Sequence, residues 1–480
     1  MDVDQVETEE EQKSKLNAIL CMTWVPRGVA AANPDKIELT AEELQNLITE
    51  THSELEKIKA NDDGDDEDDE DEDDDTKMDT DVDAKDSDDK ASDNAAAKSN
   101  NDSTKEGDEF DFEKYDEEAD EIYTKLDDIA VISKGKDPLI TVADSEDEDS
   151  EAEDEIIKPD DNLLLVGHVQ DEASILEVHV FNESEGSFYC HHHDFLPDIP
   201  LCLEWFNYDP SEEKPANLCA IGYHYTPIIE AWDLDVIGGT GPVFKLKKKG
   251  HKDSVLDLAW NTHHRHVLAS ASADKTVLLW DLDQGIPANK LKSFKDKVQA
   301  IKWHKTETFM LLTGCMDKKV RLFDCNSLEE KVWTVSGEVE KVVWSNADPN
   351  ICFVSTDNGF IECIDVRQEE VSLWKRNIQE GEVAGLSMSS SCPGLLVSSS
   401  QDGTITVWDV KNHMEPQSIF EKQTNTGRVI CLESNCDSPL VFAVGGDNRE
   451  SNLNTYNLST VEQGIFIIIF LKLLLNKNIK

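Results

Sequence analysis

The stretch Val277-Leu278-Leu279-Trp280-Asp281-Leu282 decides the fold, because it recurs. Trp232-Asp233-Leu234 precedes it and Trp408-Asp409-Val410 follows it. Phe323-Asp324-Cys325 and Ile364-Asp365-Val366 hold the same place between them, and Tyr456-Asn457-Leu458 comes last. The intervals are 48, 43, 41, 44 and 48 residues. A period of about 40–45 residues with a Trp-Asp dipeptide marks four-stranded propeller blades.

A second ladder runs in phase with the first. Apolar runs end in Trp205, Trp260, Trp303 and Trp344, with later copies ending in Met388 and Ser434. Between the two ladders lies a small-residue strand and then a tight turn carrying Asp274, Asp317, Asp357, Asp402 or Asp447. Small residues let neighbouring sheets approach, and the aspartate can bind backbone amides and fix the hairpin. A single sheet of this kind buries too little to be stable, so the copies must stack. One unit alone keeps Gly250-His251, which predicts a hydrogen-bonded set of His251, Asp274 and Trp280 with a nearby serine. These residues, with Trp232, Asp233, Asp281, Asp317, Asp402, Trp408 and Asp409, are read as structural.

Six inner strands begin at Leu201, Val255, Val298, Val339, Val383 and Val429. An earlier unit, Leu163 to Leu196, lacks an inner strand just before it. Ala18-Ile-Leu-Cys-Met-Thr-Trp24 has the required apolar spacing and ends in tryptophan. The sequence therefore predicts an all-β, seven-bladed WD40 β-propeller whose first blade takes its inner strand from residues 16–26. Residues 161–463 supply the rest, and a final edge strand after Leu458 is expected to close the ring.

Residues 27–160 are then an insertion within blade 1. Between Asn61 and Asp160 stand 44 Asp plus Glu and 10 Lys, within a chain of 480 residues and net charge −57. Such a run repels itself and cannot bury enough apolar surface to order, so 61–110 reads as disordered, 111–160 as mixed, and 1–15 as a disordered acidic terminus. Within the insertion, Thr40-Ala-Glu-Glu43 is a capping box, and Leu44, Leu47, Ile48, Leu55 and Ile58 predict a helix over 40–59. A second helical face, Phe112 to Leu126, either lies on the propeller's flank or docks a partner.

The eleven cysteines are scattered with no Cys-x-x-Cys pair, which suits reduced thiols of an intracellular protein. The acidic N-terminus has no secretory signal, and the apolar tail, 464–480, holds no run long enough to span a membrane. That tail is β-prone and little charged, an aggregation risk if exposed. No nucleophile elbow, phosphate loop, zinc motif or kinase set is present, so neither an enzyme nor a cofactor is expected. Cys190-His191-His192-His193-Asp194 does not read as a metal site, because successive strand residues point to opposite faces. His263, His264 and His266 lie in a turn and are read the same way.

The remaining candidates are interaction sites. Residues 245–321 hold 16 Lys plus Arg and 8 Asp plus Glu. If Lys247, Lys248, Lys249, Lys295, Lys297, Lys302, Lys318, Lys319 and Arg321 share a face, RNA phosphates could bind there; otherwise they form a solvated rim or a dock for the acidic insertion. The acidic run is either a solvating segment or a polyanion that holds histones and basic ribosomal proteins. Ser145 and Ser150 each precede a carboxylate by three residues, the spacing an acidophilic kinase needs, so both are expected to be phosphorylated.

The chain resembles the periodic tryptophan protein family of WD-repeat ribosome-assembly factors. The resemblance covers about residues 16–460 and rests on Thr23-Trp24-Val25-Pro26-Arg27-Gly28-Val29-Ala30, Leu176-Glu-Val-His-Val180, Ile228-Ile-Glu-Ala-Trp-Asp-Leu234, Val255-Leu-Asp-Leu-Ala-Trp260 and Val267-Leu-Ala-Ser-Ala-Ser-Ala-Asp274. It departs after Thr460, where the family has a polar tail. The resemblance implies a nuclear and nucleolar scaffold for large-subunit pre-rRNA processing, rDNA transcription and chromatin association. Its implied partners are pre-ribosomal proteins, pre-rRNA and, through the insertion, histones; no membrane or small-molecule substrate is implied. The alternatives are a histone-binding WD-repeat protein or a ubiquitin-ligase substrate adaptor. Ile364-Asp365-Val366-Arg367 lacks the tryptophan that such adaptors often carry.

Overall fold

The computed structural model describes residues 16–37, 156–211, 214–239, 241–368, 371–379, 381–411 and 416–460. The chain divides into two units, residues 1–38 with 147–480 and residues 39–146, and the described residues all belong to the first. The expected helices at 40–59 and 112–126, the acidic run, Ser145, Ser150, the N-terminal 1–15 and the tail 464–480 lie outside the described residues.

The described residues form seven sheets arranged as a propeller and one further two-stranded parallel sheet. Blade 1 pairs Asn17–Val25 with Asn162–Gln170, then Ala173–Asn182 and Ser187–Leu196. Blade 2 runs from Pro200–Tyr208 through Pro215–Tyr223 and Ile229–Asp233 to Phe244–Leu246. Blades 3 to 6 are four-stranded meanders whose inner strands are Val255–Trp260, Val298–Trp303, Val339–Trp344 and Gly385–Met388. Blade 7 shows Val429–Ser434, Val441–Gly446 and Leu453–Asn457, followed by a turn at Leu458–Thr460. The edge strand expected after Leu458 falls outside the described residues.

The alternation of apolar residues explains why the sheets stack. Leu163 and Leu165 pack toward blade 2 with Cys219 and Ile221, whereas Leu164 and Val166 pack toward blade 7 with Cys431, Val441 and Ala443. Each blade thus has two buried faces and no sheet core of its own. Residue Ile157 joins the blade 1–2 core, and its amide donates to the Ala32 carbonyl at 3.0 Å.

The insertion begins later than the sequence suggested. Residues 27–37 run along the propeller, and Asp35–Lys36 pairs in parallel with Val236–Ile237 of blade 2. The Ala31 amide donates to Asp235 at 2.9 Å. Residues 156–160 return to the same region, so the propeller keeps 27–37 and 156–160. The reason is local: Pro26 and Gly28, with φ +71° at Gly28, turn the chain, and Asp235 receives it.

Two repeated contacts stitch the inner edges of the blades together. Trp303 Nε1 donates to the Ala259 carbonyl at 3.0 Å, Trp344 Nε1 to Lys302 at 3.3 Å, and Trp24 Nε1 to Glu433 at 3.3 Å. In each case a tryptophan satisfies a carbonyl on the unpaired edge of the preceding blade. Thiols do the same in the other direction. Cys431 donates to the Ile19 carbonyl at 3.6 Å, Cys21 to Pro200 at 3.7 Å and Cys202 to Val255 at 3.5 Å. Burial raises the pKa of all three, so they remain protonated donors. Each faces a glycine across the hairpin, Gly445, Gly167 and Gly222. A Cβ there would lie 2.5–2.7 Å from the sulfur.

Candidate functional site

The connectivity of the meanders sorts every loop to one of two faces. Loops from an outer strand to the next inner strand, and from second to third strand, lie on what we call the upper face. The other two kinds of loop lie on the lower face. Ile37 and Ile156, the described residues flanking the insertion, are therefore on the lower face.

The aspartate turns lie on the upper face and fasten consecutive loops. Asp274 accepts from the Lys252 amide at 3.1 Å, Asp317 from Lys295 at 3.3 Å, Asp357 from Glu338 at 2.8 Å and Asp447 from Arg428 at 2.8 Å. Asp402 instead accepts from the Thr404 amide within its own turn, at 2.9 Å. In blade 3, His251 Nδ1 meets Asp274 at 3.1 Å and its Nε2 meets Ser270 Oγ at 2.7 Å. Trp280 Nε1 donates to the same Ser270 oxygen at 2.8 Å. Burial acts against the charge of Asp274, but hydrogen bonds from His251 and Thr276 outweigh it and lower its pKa. Trp408 donates to Ser398 at 2.9 Å, and Trp232 to Glu230 at 3.3 Å. Asp233, Asp281 and Asp409 cap the amides two residues on, at 2.9–3.0 Å. All these groups are committed to neighbours within the sheet.

The predicted basic residues separate into three environments. Lys247, Lys248, Lys249, Lys295, Lys297 and Lys318 are exposed on upper-face loops, and Lys319 is half-buried where the third strand of blade 4 begins. Arg321 is not on that face. Its side chain is 3 % exposed and pairs with Asp317, at 2.5 and 3.1 Å, beneath the ring of Phe294. Lys302 points into the central channel. There it lines a cavity of about 120 Å³ with Glu204, Asp257, Lys341, Ser387 and Glu433. Burial works against its charge, but Glu204, Asp257 and Glu433 raise its pKa. Both residues lie on strands, where alternation turns the side chain into the channel or the core; a charge count could not see this.

The channel carboxylates are a feature that the sequence reading missed. Glu204 accepts from the Trp260 amide at 2.9 Å and Asp257 from the Ile301 amide at 2.7 Å, each reaching to the next blade. Burial pushes the pKa of Glu204 up to about 7. The signal was a charged residue one or three places before the strand-ending tryptophan. A second missed set closes the ring at its lower edge. Arg27 Nε donates to Asn162 at 2.9 Å, its terminal nitrogen to Ser438 at 2.8 Å, and its amide to Asp437 at 2.8 Å.

In the first histidine run His191 Nδ1 lies 2.9 Å from His192 Nδ1 at an irregularity in the strand pairing. His192 is buried, and burial lowers its pKa to about 4, with His191 and His193 adding to the effect. His263 meets the Lys305 carbonyl at 3.0 Å, and the His264 ring stacks on Phe309 at 4.7 Å. Among the described residues no group of three or more His, Cys, Asp or Glu is placed to hold a metal ion. Arg367 is held by Asp365 at 2.8 Å and by Asp348 at 3.5 Å.

Comparison with known proteins agrees with this ring. The WD domain, G-beta repeat model matches residues 242–281, 286–324 and 375–409. Periodic tryptophan protein 1 homolog of Drosophila melanogaster is 40% identical over 447 residues, covering 90% of this chain and 92% of the relative. Periodic tryptophan protein 1 of Saccharomyces cerevisiae is 27% identical, over 90% of this chain and 86% of its own. A shorter match, 41% identical over 66 residues, covers 14% of this chain and 15% of "Ribosome biogenesis protein WDR12 homolog" of Trichoplax adhaerens. At that identity and coverage of the Drosophila relative, the chain belongs to the periodic tryptophan protein family of WD-repeat propellers.

Proposed function

We propose that the protein is a non-catalytic scaffold of ribosome biogenesis that holds pre-ribosomal proteins and pre-rRNA in the nucleolus. The observation that carries this is the ring itself. Its Trp-Asp and aspartate-turn side chains are held by hydrogen bonds within their own blade or to its flanking loops, while charged loops remain on its upper face. Fold alone does not assign a function; the ribosomal role is supported by family membership and by the name of one relative. Association with rDNA chromatin, support of rDNA transcription and capture of histones by the acidic insertion are finer parts of the same proposal. Phosphorylation of Ser145 and Ser150 would add about 1.5–2 negative charges at each site and strengthen that polyanion.

The test is purification of the tagged full chain from cells, with pre-rRNA probed by hybridisation and proteins identified by mass spectrometry. The expected result is co-elution with large-subunit precursors. Co-elution with ligase subunits and without pre-rRNA would overturn the reading in favour of a substrate adaptor. Phosphopeptide mapping that finds Ser145 and Ser150 unmodified would remove the phosphorylation part alone.

A further inference from the structure

Topology gathers the positive charge of two blades onto one arc of the upper face. The upper-face loops 247–254, 273–276, 292–297 and 316–318 carry nine lysines, four aspartates and no arginine. The aspartates are engaged locally. Asp274 and Asp317 hold His251 and Arg321, Asp253 accepts from the Ser254 amide at 2.8 Å, and Asp296 accepts from the Lys297 amide at 2.9 Å. Lys275 lies 3.6 Å from Asp296, but both side chains are about half exposed, so the pair is weak. The loops elsewhere on this face carry mainly carboxylates, among them Asp198, Glu338, Asp357, Glu382 and Asp447. A polyanion meeting this face is therefore attracted to blades 3 and 4 and repelled by the rest.

Backbone conformation gives a second, independent observation. Lys275 and Lys318, in the second-to-third-strand turns of blades 3 and 4, have φ of +65° and +62°, and Asp171 in the corresponding turn of blade 1 has φ of +56°. This left-handed region suits glycine and strains a residue with a Cβ. Blades 5 and 6 place Gly359 and Gly403 in the matching turns, with φ of +84° and +86°. Blades 3 and 4 carry lysine there instead, at a cost to folding. Where the native turn needs a left-handed residue, a lysine retained in place of glycine is consistent with use of its side chain.

We infer that the upper loops of blades 3 and 4 form a lysine-only cradle for the backbone phosphates of RNA, reading charge and not sequence. Lysine is a flexible point charge suited to phosphate, whereas base reading favours the bidentate fork of arginine. The inference rests on the ribosomal reading only for the choice of RNA as the polyanion. With a chain charge of −57, binding must act at short range, within a Debye length of about 10 Å at 0.1 M salt.

The test is fluorescence anisotropy of the full chain with a labelled 20-base-pair RNA duplex and a second duplex of scrambled sequence, over a salt series. Lys248→Glu, Lys295→Glu and Lys318→Glu together are expected to weaken both duplexes at least tenfold. They should also flatten the salt dependence by about one power of salt for each phosphate no longer neutralised. Lys214→Glu, on the lower face, should leave binding unchanged. Lys275→Gly with Lys318→Gly is expected to raise the Tm while weakening binding, which separates the site from any folding defect. An unchanged salt slope in the triple variant overturns the cradle. A tenfold preference for one duplex overturns the phosphate-only mode. Equal competition by polyglutamate overturns RNA in favour of an acidic protein. None of these outcomes depends on whether pre-ribosomal precursors co-purify, so the two proposals fail separately.

Discussion

Trp24 Nε1 donates to the carbonyl of Glu433 across 3.3 Å, joining two residues 409 positions apart. The bond repeats the one that Trp344 makes to Lys302 within the body of the ring, also at 3.3 Å. The N-terminal strand is therefore held at the seam by the same device that joins successive blades. Trp24→Phe should keep most of the packing and cost about 1 kcal/mol, the worth of one hydrogen bond. Trp24→Ala should cost about 3–5 kcal/mol, because a large buried side chain leaves a cavity between blades 7 and 1. Urea denaturation followed by fluorescence checks both, and an unchanged stability in Trp24→Phe would contradict the assignment of the bond.

Gly167 lies opposite Cys21 with no room for a methyl group. Gly167→Ala should cost about 1–3 kcal/mol through overpacking against the sulfur and Pro200. Cys21→Ala in the same chain should recover part of that loss. A double-mutant cycle on Tm tests the coupling, and strictly additive effects would exclude it.

The buried pair in blade 4 predicts a stability effect. Arg321→Ala leaves Asp317, whose side chain is 6 % exposed, without its partner. A loss of about 3–5 kcal/mol is expected from the unpaired buried charge. Denaturation measures this, and a loss of stability below about 1 kcal/mol would contradict the pairing.

At the blade 1–7 seam, Glu177 accepts from His168 at 2.7 Å and from His179 at 2.8 Å. Burial opposes its charge, but the two histidine contacts outweigh it and hold the pKa at about 2, below the ordinary glutamate value of 4.5. The folded pKa is depressed, so the stabilisation is present above about pH 4.5 and is lost as pH falls toward about 2. With the side chain 19 % exposed, it is worth on the order of 3 kcal/mol. Glu177→Gln should flatten the acid limb of a Tm–pH profile.

Glu204 behaves in the opposite sense. Its pKa is raised to about 7 by burial, so the folded chain holds a proton that the unfolded chain has already released. Stability contributed at this site falls as pH rises from about 4.5 through about 7. Glu204→Gln keeps an acceptor for the Trp260 amide and is expected to raise Tm at pH 8 while changing it little at pH 5. A lower Tm at pH 8 would rule this out.

By itself, the sequence determined the unit of the fold and the number of its copies. The Trp-Asp spacing, the small-residue strands and the aspartate turns are local, so their periodicity is written along the chain. It also placed Asn17–Val25 in blade 1, because a strand must bury both faces and Ala18 to Trp24 had the matching pattern. Only the tertiary structure decided which charges are available. Lys302 and Arg321 belong to the same basic stretch as Lys295 and Lys318, yet the first pair points inward from strands and the second lies on loops. The start of the insertion was likewise hidden, since residues 27–37 are held by Asp235, Val236 and Ile237, some 200 positions away. Composition records how much charge a segment carries; the direction in which each side chain leaves the backbone, and the distant partner it meets, exist only once the ring has closed.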